Sequence, residues 1–372
     1  MSLPIVVIGA GLSGLHASHL LAQAGEKVLL LEARERVGGR ILSQGLPGAA
    51  HRIDLGPSWF WPGMNPRIER LVRELGLGAY PQHSQGAYAV EAPDGKVHRQ
   101  HSVWVQSPSS WRIEGGTQSL VEALQARLGE RVHLKTGTRV RGMVLRPHAI
   151  ELQLEDGRGR WTQQAAQVVL TIPPRLSAQD LQLQPAWPEP LLKGMRHTPT
   201  WMAGQAKFAV IYPTAFWRAA GWSGDAMSNR GPMVEIHDAS DASGQAAALF
   251  GFVGASPAYR AGIGREELAR QSLAQLVRIF GEQAANPLWH GVQDWAQEPL
   301  TASSADQQPL AYHPVYGDPV VPGDWQGRLW LAGTERSANY GGYLEGALES
   351  AEEAVRGLLA ARQAQAQPAP VV

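Results

Sequence analysis

The chain has 372 residues, no cysteine, and 33 basic against 33 acidic side chains. The length favours two domains. Because the charges balance, we expect no basic patch that could bind nucleic acid or an acidic membrane surface. The absence of cysteine excludes disulfides and metal sites with thiolate ligands. No apolar run reaches the roughly 18 residues of a membrane helix, and the chain starts on a strand pattern instead of a signal peptide, so we expect a cytoplasmic protein that binds neither nucleic acid nor membrane.

Residues 5–32 have the pattern of a strand, a glycine-rich turn, a helix and a second strand. Three glycines spaced as G-x-G-x-x-G directly follow the β-branched run 5–8. This spacing suits a tight turn, the close approach of a pyrophosphate to bare backbone, and close packing of the helix on the strand. The free N–H groups at the helix start would then bind the phosphates. The pattern predicts a dinucleotide site with contacts from Gly9, Gly11, Leu12, Ser13 and Gly14.

Glu32 ends the second strand of this pattern, about 20 residues after the glycine turn. Its carboxylate can accept hydrogen bonds from a ribose diol, whereas a ribose 2′-phosphate would be repelled there. The acid therefore argues against NADP. Ala33 and Arg34 follow it as further candidate contacts.

Residues 32–40 read E-A-R-E-R-V-G-G-R. This stretch resembles the extended cofactor motif of the FAD-dependent amine oxidases. A glycine pair followed by an arginine suits a loop pressed against a cofactor, with Arg40 as a fixed cation near its phosphates or flavin. A solvated basic turn is the alternative. The candidate contacts are Gly38, Gly39 and Arg40.

Four further stretches resemble the same family. Residues 53–58 read I-D-L-G-P-S, with a proline where the family commonly has a second glycine, and residues 115–120 and 168–174 match two of its recurring segments. Residues 329–347 contain A-G-T-E and G-Y-L-E-G-A, the family's C-terminal flavin signature. The resemblance implies cofactor contacts from Gly56, Pro57, Ser58, Val140, Gly333, Thr334, Glu335, Gly342, Tyr343 and Leu344.

Lys207 stands inside the apolar strand pattern 206–211. A lysine in a strand can point to solvent, and this alternative stays open. In the resembling family, a strand lysine before a Y-x-x-x-F-W stretch holds a water at the flavin N5 atom, and Tyr212, Phe216 and Trp217 reproduce that context. The resemblance therefore implies a catalytic role for Lys207.

Two aromatic residues are the other catalytic candidates. The family often has two aromatic walls that flank the amine, and Tyr343 matches one of them. Trp295 is the third catalytic candidate. In the family, the second aromatic wall and a flavin-linking cysteine would fall after this residue, but the chain reads S-S-A at 303–305. The resemblance thus implies non-covalent FAD, and one wall is missing unless Tyr312 or Tyr340 replaces it.

Several strands are predicted from apolar patterning alone. Residues 132–134, 140–142 and 150–154 predict a β-meander, and residues 205–212, 233–236 and 248–253 predict an antiparallel sheet. Pro173 and Pro174 predict the end of the strand at 168–172, because proline continues neither a sheet nor a helix.

The implied fold is α/β. A discontinuous Rossmann-type FAD-binding domain would span 1–79, 115–175 and 295–372, and an α+β substrate domain built on an antiparallel sheet would span 80–114 and 176–294. The implied reaction is hydride transfer from the C–N bond of a small amine to flavin N5, followed by imine hydrolysis and reoxidation by O2 to give H2O2.

Two other functions remain open at this point. One is an amino acid oxidase or another C–N or C–C dehydrogenase on the same scaffold, for which Arg112, Arg218 and Arg230 are candidate carboxylate-binding cations. The other is a flavin-binding partner protein without turnover. We expect no metal site, because the paired histidines lack the glutamate of an H-E-x-x-H motif.

Overall fold

A computed structural model describes residues 3–47, 51–101, 108–308, 310, 312–317 and 320–366. The strands are β1 (Ile5–Ile8), β2 (Val28–Leu31), β3 (Ser43–Gln44), β4 (Ile53–Asp54), β5 (Ala79–Pro81), β6 (Ala87–Glu91), β7 (Val97–Gln100), β8 (Trp111–Ile113), β9 (Val132–Lys135), β10 (Arg139–Leu145), β11 (Ile150–Asp156), β12 (Gly159–Ala165), β13 (Gln167–Leu170), β14 (Gln182–Gln184), β15 (Ala206–Tyr212), β16 (Trp222–Ser228), β17 (Met233–Asp238), β18 (Ala247–Val253), β19 (Trp289–Asp294) and β20 (Leu329–Leu331). The α-helices are α1 (Leu12–Gln23), α2 (Pro66–Glu74), α3 (Gln118–Ala126), α4 (Pro174–Asp180), α5 (Glu189–His197), α6 (Phe216–Ala219), α7 (Pro257–Phe280) and α8 (Leu344–Ala366). Within the described residues, no helix is both long enough and apolar enough to cross a lipid bilayer.

The chain divides into two compact units. The first unit comprises Met1–Arg40, Val121–Trp201 and Leu310–Val372, and the second comprises Ile41–Leu120 and Met202–Pro309. Four segments lie on the other side of the domain boundaries expected from the sequence, namely residues 41–79, 115–120, 176–201 and 295–309. Residues 41–79 belong to the second unit, where Ile53 and Leu55 pack with residues of its large sheet. Residues 176–201 belong to the first unit, since Leu181, Trp187, Leu191 and Met195 pack into its core.

The centre of the first unit is a parallel sheet in the order β20-β13-β1-β2-β9. The apolar runs of β1 and β2 pair in register, and β1 pairs on its other side with β13. This is a doubly wound arrangement, in which ligands bind beyond the carboxyl ends of the strands where the strand order reverses. The glycine turn follows β1 and Glu32 follows β2, so the predicted strands 5–8 and 28–31 are confirmed and place both motifs at that edge.

Two details of this unit differ from the prediction. Strand β9 pairs in parallel with β2 instead of joining the meander. A parallel pair needs a long connection, and the hundred residues between β2 and β9, which end with α3, provide it. The antiparallel strands are β10, β11 and β12. Pro174 starts α4, where its missing N–H would have no partner in any case, so the prolines end the strand and begin a helix.

The second unit is built on a sheet of seven strands in the order β19-β15-β18-β17-β16-β6-β7. The strands predicted at 205–212, 233–236 and 248–253 are present as β15, β17 and β18. Strand β15 pairs antiparallel with β18 and also with β19, a strand that the sequence did not suggest, and all residues of β15 are buried. Because side chains alternate along a strand, Phe208, Val210 and Tyr212 join the cluster that includes Leu276 of α7. The opposite face therefore carries Lys207.

Candidate functional site

The turn after β1 is folded by its glycines. Gly9 has a φ of +102°, which side chains disfavour. A Cβ atom on Gly14 would overlap the carbonyl oxygen of Gly9 and lie 3.0 Å from Thr171 Oγ1. The first and third glycines therefore let the start of α1 pack tightly against the strand ends, as the spacing predicts.

The same turn leaves space for a ligand with phosphate groups. Beyond its chain neighbours, a Cβ atom on Gly11 would make only ordinary van der Waals contacts, at 3.9 Å from Gly39 Cα and 4.0 Å from the Gly38 carbonyl oxygen, so Gly11 presents bare backbone beside the glycine pair. Helix α1 has no side-chain cap and no acidic residue in its first turn. Its first N–H groups, from Leu12 onward, remain available for an anion at the positive end of the helix dipole. These features fit the pyrophosphate of a dinucleotide.

Glu32 is buried beside this turn. One carboxylate oxygen accepts the N–H of Ala10 and the other accepts the N–H of Arg34, both at 2.8 Å. Each carboxylate oxygen can accept a further hydrogen bond, so the group also fits a ribose diol. The carboxylate thus has a second role that the sequence pattern did not reveal, which is to join the glycine turn to the loop after β2.

Two arginines organise the loop at 36–40. Arg40 forms a bidentate ion pair with Glu335 at 2.5 and 3.0 Å, and this glutamate belongs to the G-T-E stretch. Arg36, which sequence reasoning missed, donates to the carbonyl oxygens of Val37 and Gly39 at 3.1 and 2.9 Å. The loop is therefore structured by its own cations, and Arg40 is not a solvated basic residue.

Residues of the C-terminal signature contact the glycine turn. The N–H of Gly333 lies 3.1 Å from Ser13 Oγ, and Thr334 Oγ1 donates to the carbonyl oxygen of Tyr343 at 2.7 Å. Gly342 has a φ of +85°, and a Cβ atom there would lie 2.9 Å from Trp201. The predicted cofactor-binding residues of the glycine turn and of the C-terminal signature therefore lie together in the first unit. Leu344 starts α8, and Val140 lies where the pairing of β10 with β11 changes register.

Tyr343 has an aromatic neighbour that the sequence did not suggest. The side chain of Tyr343 is 44% exposed, and the imidazole of His313 stacks on it with a centroid distance of 5.3 Å and an interplanar angle of 12°. The ring of Trp201 lies beside the same imidazole, with a centroid distance of 4.5 Å. Tyr312, one of the two expected replacements for the second wall, is 86% exposed. The ring beside Tyr343 is therefore that of His313.

Lys207 is the central group of the second unit's candidate site. Its side chain is 3% exposed, so the solvent-pointing alternative is wrong. The ammonium donates to the carbonyl oxygen of Gly56 at 3.0 Å and to Ser58 Oγ at 2.7 Å. It lies 3.8 Å from the centroid of the Phe250 ring and 5.3 Å from that of Phe252. Since an ammonium has three donors, one N–H remains for a water or a ligand group.

The charge of Lys207 is set by opposing effects. Burial lowers the pKa of Lys207 from 10.5 to about 7, the negative charge of Asp54 opposes this shift, and the positive charge of Arg112 adds to it. Hydrogen bonds to two oxygens and the neighbouring ring faces also favour the ammonium form. Lys207 can therefore gain or lose a proton near neutral pH.

The lowered pKa of Lys207 gives an expected pH dependence of folding. Between about pH 7 and pH 10 the unfolded chain binds the lysine proton and the folded chain does not, so stability rises with pH in this window. We expect the free energy of unfolding of the native chain, relative to that of Lys207→Met, to increase across the window. Urea unfolding of both proteins at several pH values measures it, and a constant difference would contradict a buried, titrating lysine.

The remaining candidates lie in structural positions. Trp295 is buried, and its indole N–H donates to the carbonyl oxygen of Leu55 at 3.0 Å. Arg112 is 2% exposed and lies 3.6 Å from Asp54, and Arg218 forms a bidentate pair with Asp238 at 2.8 Å. Among the described residues, no group of three metal-ligating side chains is positioned to hold a metal ion.

Two family models and several known proteins match this chain. The model of the family described as flavin containing amine oxidoreductase matches residues 105–359, and that of an NAD(P)-binding Rossmann-like domain matches residues 7–75. Putrescine oxidase of Kocuria rosea is 26% identical, over 80% of this chain and 83% of its own length. Flavin-containing amine oxidase B of Homo sapiens is 24% identical, over 95% of this chain and 86% of its own. A solved structure of putrescine oxidase bound to putrescine has a TM-score of 0.74 and 19% identity, covering 99% of this chain and 100% of that one.

Proposed function

Because the chain belongs to the family of flavin containing amine oxidoreductases, we propose that it is an amine oxidase that binds FAD without a covalent bond and uses O2 as its electron acceptor. Bound FAD would supply a two-electron acceptor: the amine would lose a hydride from its α-carbon and a proton from its nitrogen, water would hydrolyse the resulting imine to a carbonyl compound and ammonia or an amine, and O2 would take up the two electrons and two protons as H2O2. The protein holds the cofactor, orients the amine and excludes water.

The nucleotide part of FAD is assigned to the first unit. The side-chain-free turn around Gly11 and the N-terminus of α1 would hold the pyrophosphate, and Glu32 would accept the ribose hydroxyls. The neighbouring signature residues Gly333, Thr334 and Gly342 would hold the flavin end with backbone groups. The chain has no cysteine that could bond to the flavin, which supports non-covalent binding.

The burial of Lys207 is the observation that carries the proposal. A lysine buried in an apolar sheet loses hydration, and such a position is seldom found without a function. Its two oxygen partners use two donors and leave one. In the resembling family a strand lysine holds a water beside the flavin, and we assign that role to Lys207. Tyr343 is assigned as one wall of the amine site.

The arginine contacts favour an amine over an amino acid as substrate. An amino acid oxidase needs a cation that is free to bind the substrate carboxylate. Arg112 is buried beside Asp54, and Arg218 is occupied by both oxygens of Asp238. Both oxygens of Asp238 therefore already neutralise Arg218, whereas the Nε and Nη1 atoms of the buried Arg112 have no hydrogen-bond partner among the described residues.

A matched substrate panel tests this function. Each amine is paired with the amino acid that differs only by a carboxylate, such as phenethylamine with phenylalanine, tyramine with tyrosine, and cadaverine with lysine. We expect H2O2 from one or more amines and none from the amino acid partners, and acid precipitation should release all the FAD into solution. Peroxide from amino acids alone would assign an amino acid oxidase instead. FAD that stays with the precipitate would contradict non-covalent binding.

A further inference from the structure

Residues 55–58 form a turn that supplies both oxygen partners of Lys207, and we call it the lysine turn. The lysine ammonium donates to the carbonyl oxygen of Gly56 and to the hydroxyl oxygen of Ser58. A displacement of this backbone by even an ångström would break one or both contacts, since hydrogen bonds weaken steeply with distance and angle. The position of the turn therefore determines how well the ammonium is stabilised.

Trp295 holds the first residue of the lysine turn. Its indole N–H donates to the carbonyl oxygen of Leu55 at 3.0 Å in a buried contact. Its backbone N–H donates to the carbonyl oxygen of Gln205 at 3.0 Å, two residues before Lys207 in sequence. The tryptophan thus connects the turn to the beginning of the strand that carries the lysine.

Thr117 holds the third residue of the lysine turn. Its hydroxyl lies 3.0 Å from the carbonyl oxygen of Pro57 and 2.8 Å from Asp54 Oδ1, while its backbone N–H donates to the same carboxylate oxygen at 2.7 Å. Ser43 Oγ also donates to this oxygen, at 2.6 Å. Asp54 directly precedes the turn, so the threonine fixes both the entry to the turn and its centre.

The surroundings of the lysine contain few other charges. Asp54 and Arg112 are the charged groups that act on Lys207, and they lie 3.6 Å from each other. The neighbouring strand β18 presents the rings of Phe250 and Phe252. The two oxygens of the lysine turn, which contact the ammonium directly, and the negative charge of Asp54 therefore support a positive charge on Lys207.

We propose that Thr117 and Trp295 are positioning residues that act through the lysine turn: they hold the oxygens of Gly56 and Ser58 where these accept from the Lys207 ammonium. The placement of the turn is independent of the proposed function, and its importance for turnover rests on the role proposed for Lys207. Trp295 accordingly acts through a backbone carbonyl and is not a catalytic residue.

The titration of Lys207 in the purified holoenzyme tests this proposal without a substrate. The chain has five lysines, so labelling their ε-carbons with ¹³C gives a small set of NMR signals, and Lys207→Met identifies the one from Lys207. Thr117→Val removes the hydroxyl with little change of shape, and Trp295→Phe removes the indole N–H. We expect each to lower the titration midpoint of Lys207 by about one unit, the effect of losing one hydrogen bond to a charged group.

Two further variants make the result specific. Thr117→Ser keeps the hydroxyl, so Lys207 in this variant should have the same titration midpoint as in the native chain. Tyr212→Phe removes a buried hydrogen bond to the Ala284 carbonyl, at 2.9 Å, from the same strand as Lys207 without touching the turn. Its midpoint should also stay unchanged.

Native midpoints in both Thr117→Val and Trp295→Phe would overturn the proposal. An equal shift in Tyr212→Phe would also overturn it, because the effect would then come from general loosening of the unit. A holoenzyme that no amine reduces would overturn the proposed function alone, since the midpoint shifts do not depend on turnover.

Discussion

Replacing Lys207 by methionine is expected to lower amine-dependent turnover by at least about 100-fold, the usual range for losing a positioned proton or water-holding group. Methionine has a similar length and suits the apolar surroundings of Phe250 and Phe252, so the fold should persist. The carbonyl oxygen of Gly56 and the hydroxyl of Ser58 lose their charged donor. Stopped-flow measurement of flavin reduction and reoxidation shows which half-reaction is slowed.

Lys135→Met is the matched control for this substitution. Lys135 also lies over an aromatic ring, at 3.9 Å from the Trp161 centroid, but its side chain is 39% exposed and it lies near Asp156. We expect native turnover from this variant. If Lys207→Met turned over amines at the native rate with full FAD content, the catalytic role of Lys207 would be wrong.

Gly14→Ala is expected to weaken FAD binding by about 100-fold, or to prevent it. The added methyl group would overlap the carbonyl oxygen of Gly9, so the turn must shift at the point where it would meet the pyrophosphate. Such overpacking commonly costs about 1–3 kcal/mol, and about 3 kcal/mol corresponds to roughly two orders of magnitude in affinity. Titration of the apoprotein with FAD, followed by flavin fluorescence, gives the dissociation constant.

Gly194→Ala provides the control for the glycine variant. Gly194 lies in α5 of the same unit, and a Cβ atom there would have no heavy atom within 4 Å. Alanine should be tolerated or slightly stabilising at that helical position. An affinity for FAD that differed from native by less than about threefold in Gly14→Ala would contradict the assigned pyrophosphate position.

The sequence was most informative where a motif is local. The dinucleotide motif, formed by the glycines at 9, 11 and 14 and by Glu32, lies within one short stretch of sequence. The strand-helix-strand pattern of this stretch was confirmed. Local patterning also predicted the three strands at 205–212, 233–236 and 248–253, which form antiparallel pairs in one sheet. These features depend on residue spacing and on alternation of apolar side chains, which are visible without a structure.

Features that depend on contacts between distant residues were not visible. The pairing of β9 with β2 joins segments about a hundred residues apart in sequence. The stacking of His313 on Tyr343 and the contact of Trp201 join three separate segments, and no spacing rule connects them. Strand alternation could not decide whether Lys207 points to solvent, because both faces of β15 are covered.

Glu32 and Arg40 have contacts that their sequence motifs did not predict, again because these contacts join distant residues. Glu32 joins two loops by accepting backbone N–H groups, and Arg40 forms an ion pair with Glu335, almost three hundred residues away. A sequence motif identifies which residues are gathered at a site. It does not state which protein groups they bind, because those partners are fixed by the tertiary fold.

Anaerobic reduction of the bound flavin is the most direct test of the proposed activity. The purified holoenzyme is mixed with each amine of the matched panel in the absence of O2, and the flavin absorbance is followed. We expect an amine, and not its amino acid partner, to bleach the flavin, with colour and one equivalent of H2O2 returning when air is admitted. An oxidised spectrum that no amine changes, in a protein with full FAD content, would contradict an amine oxidase.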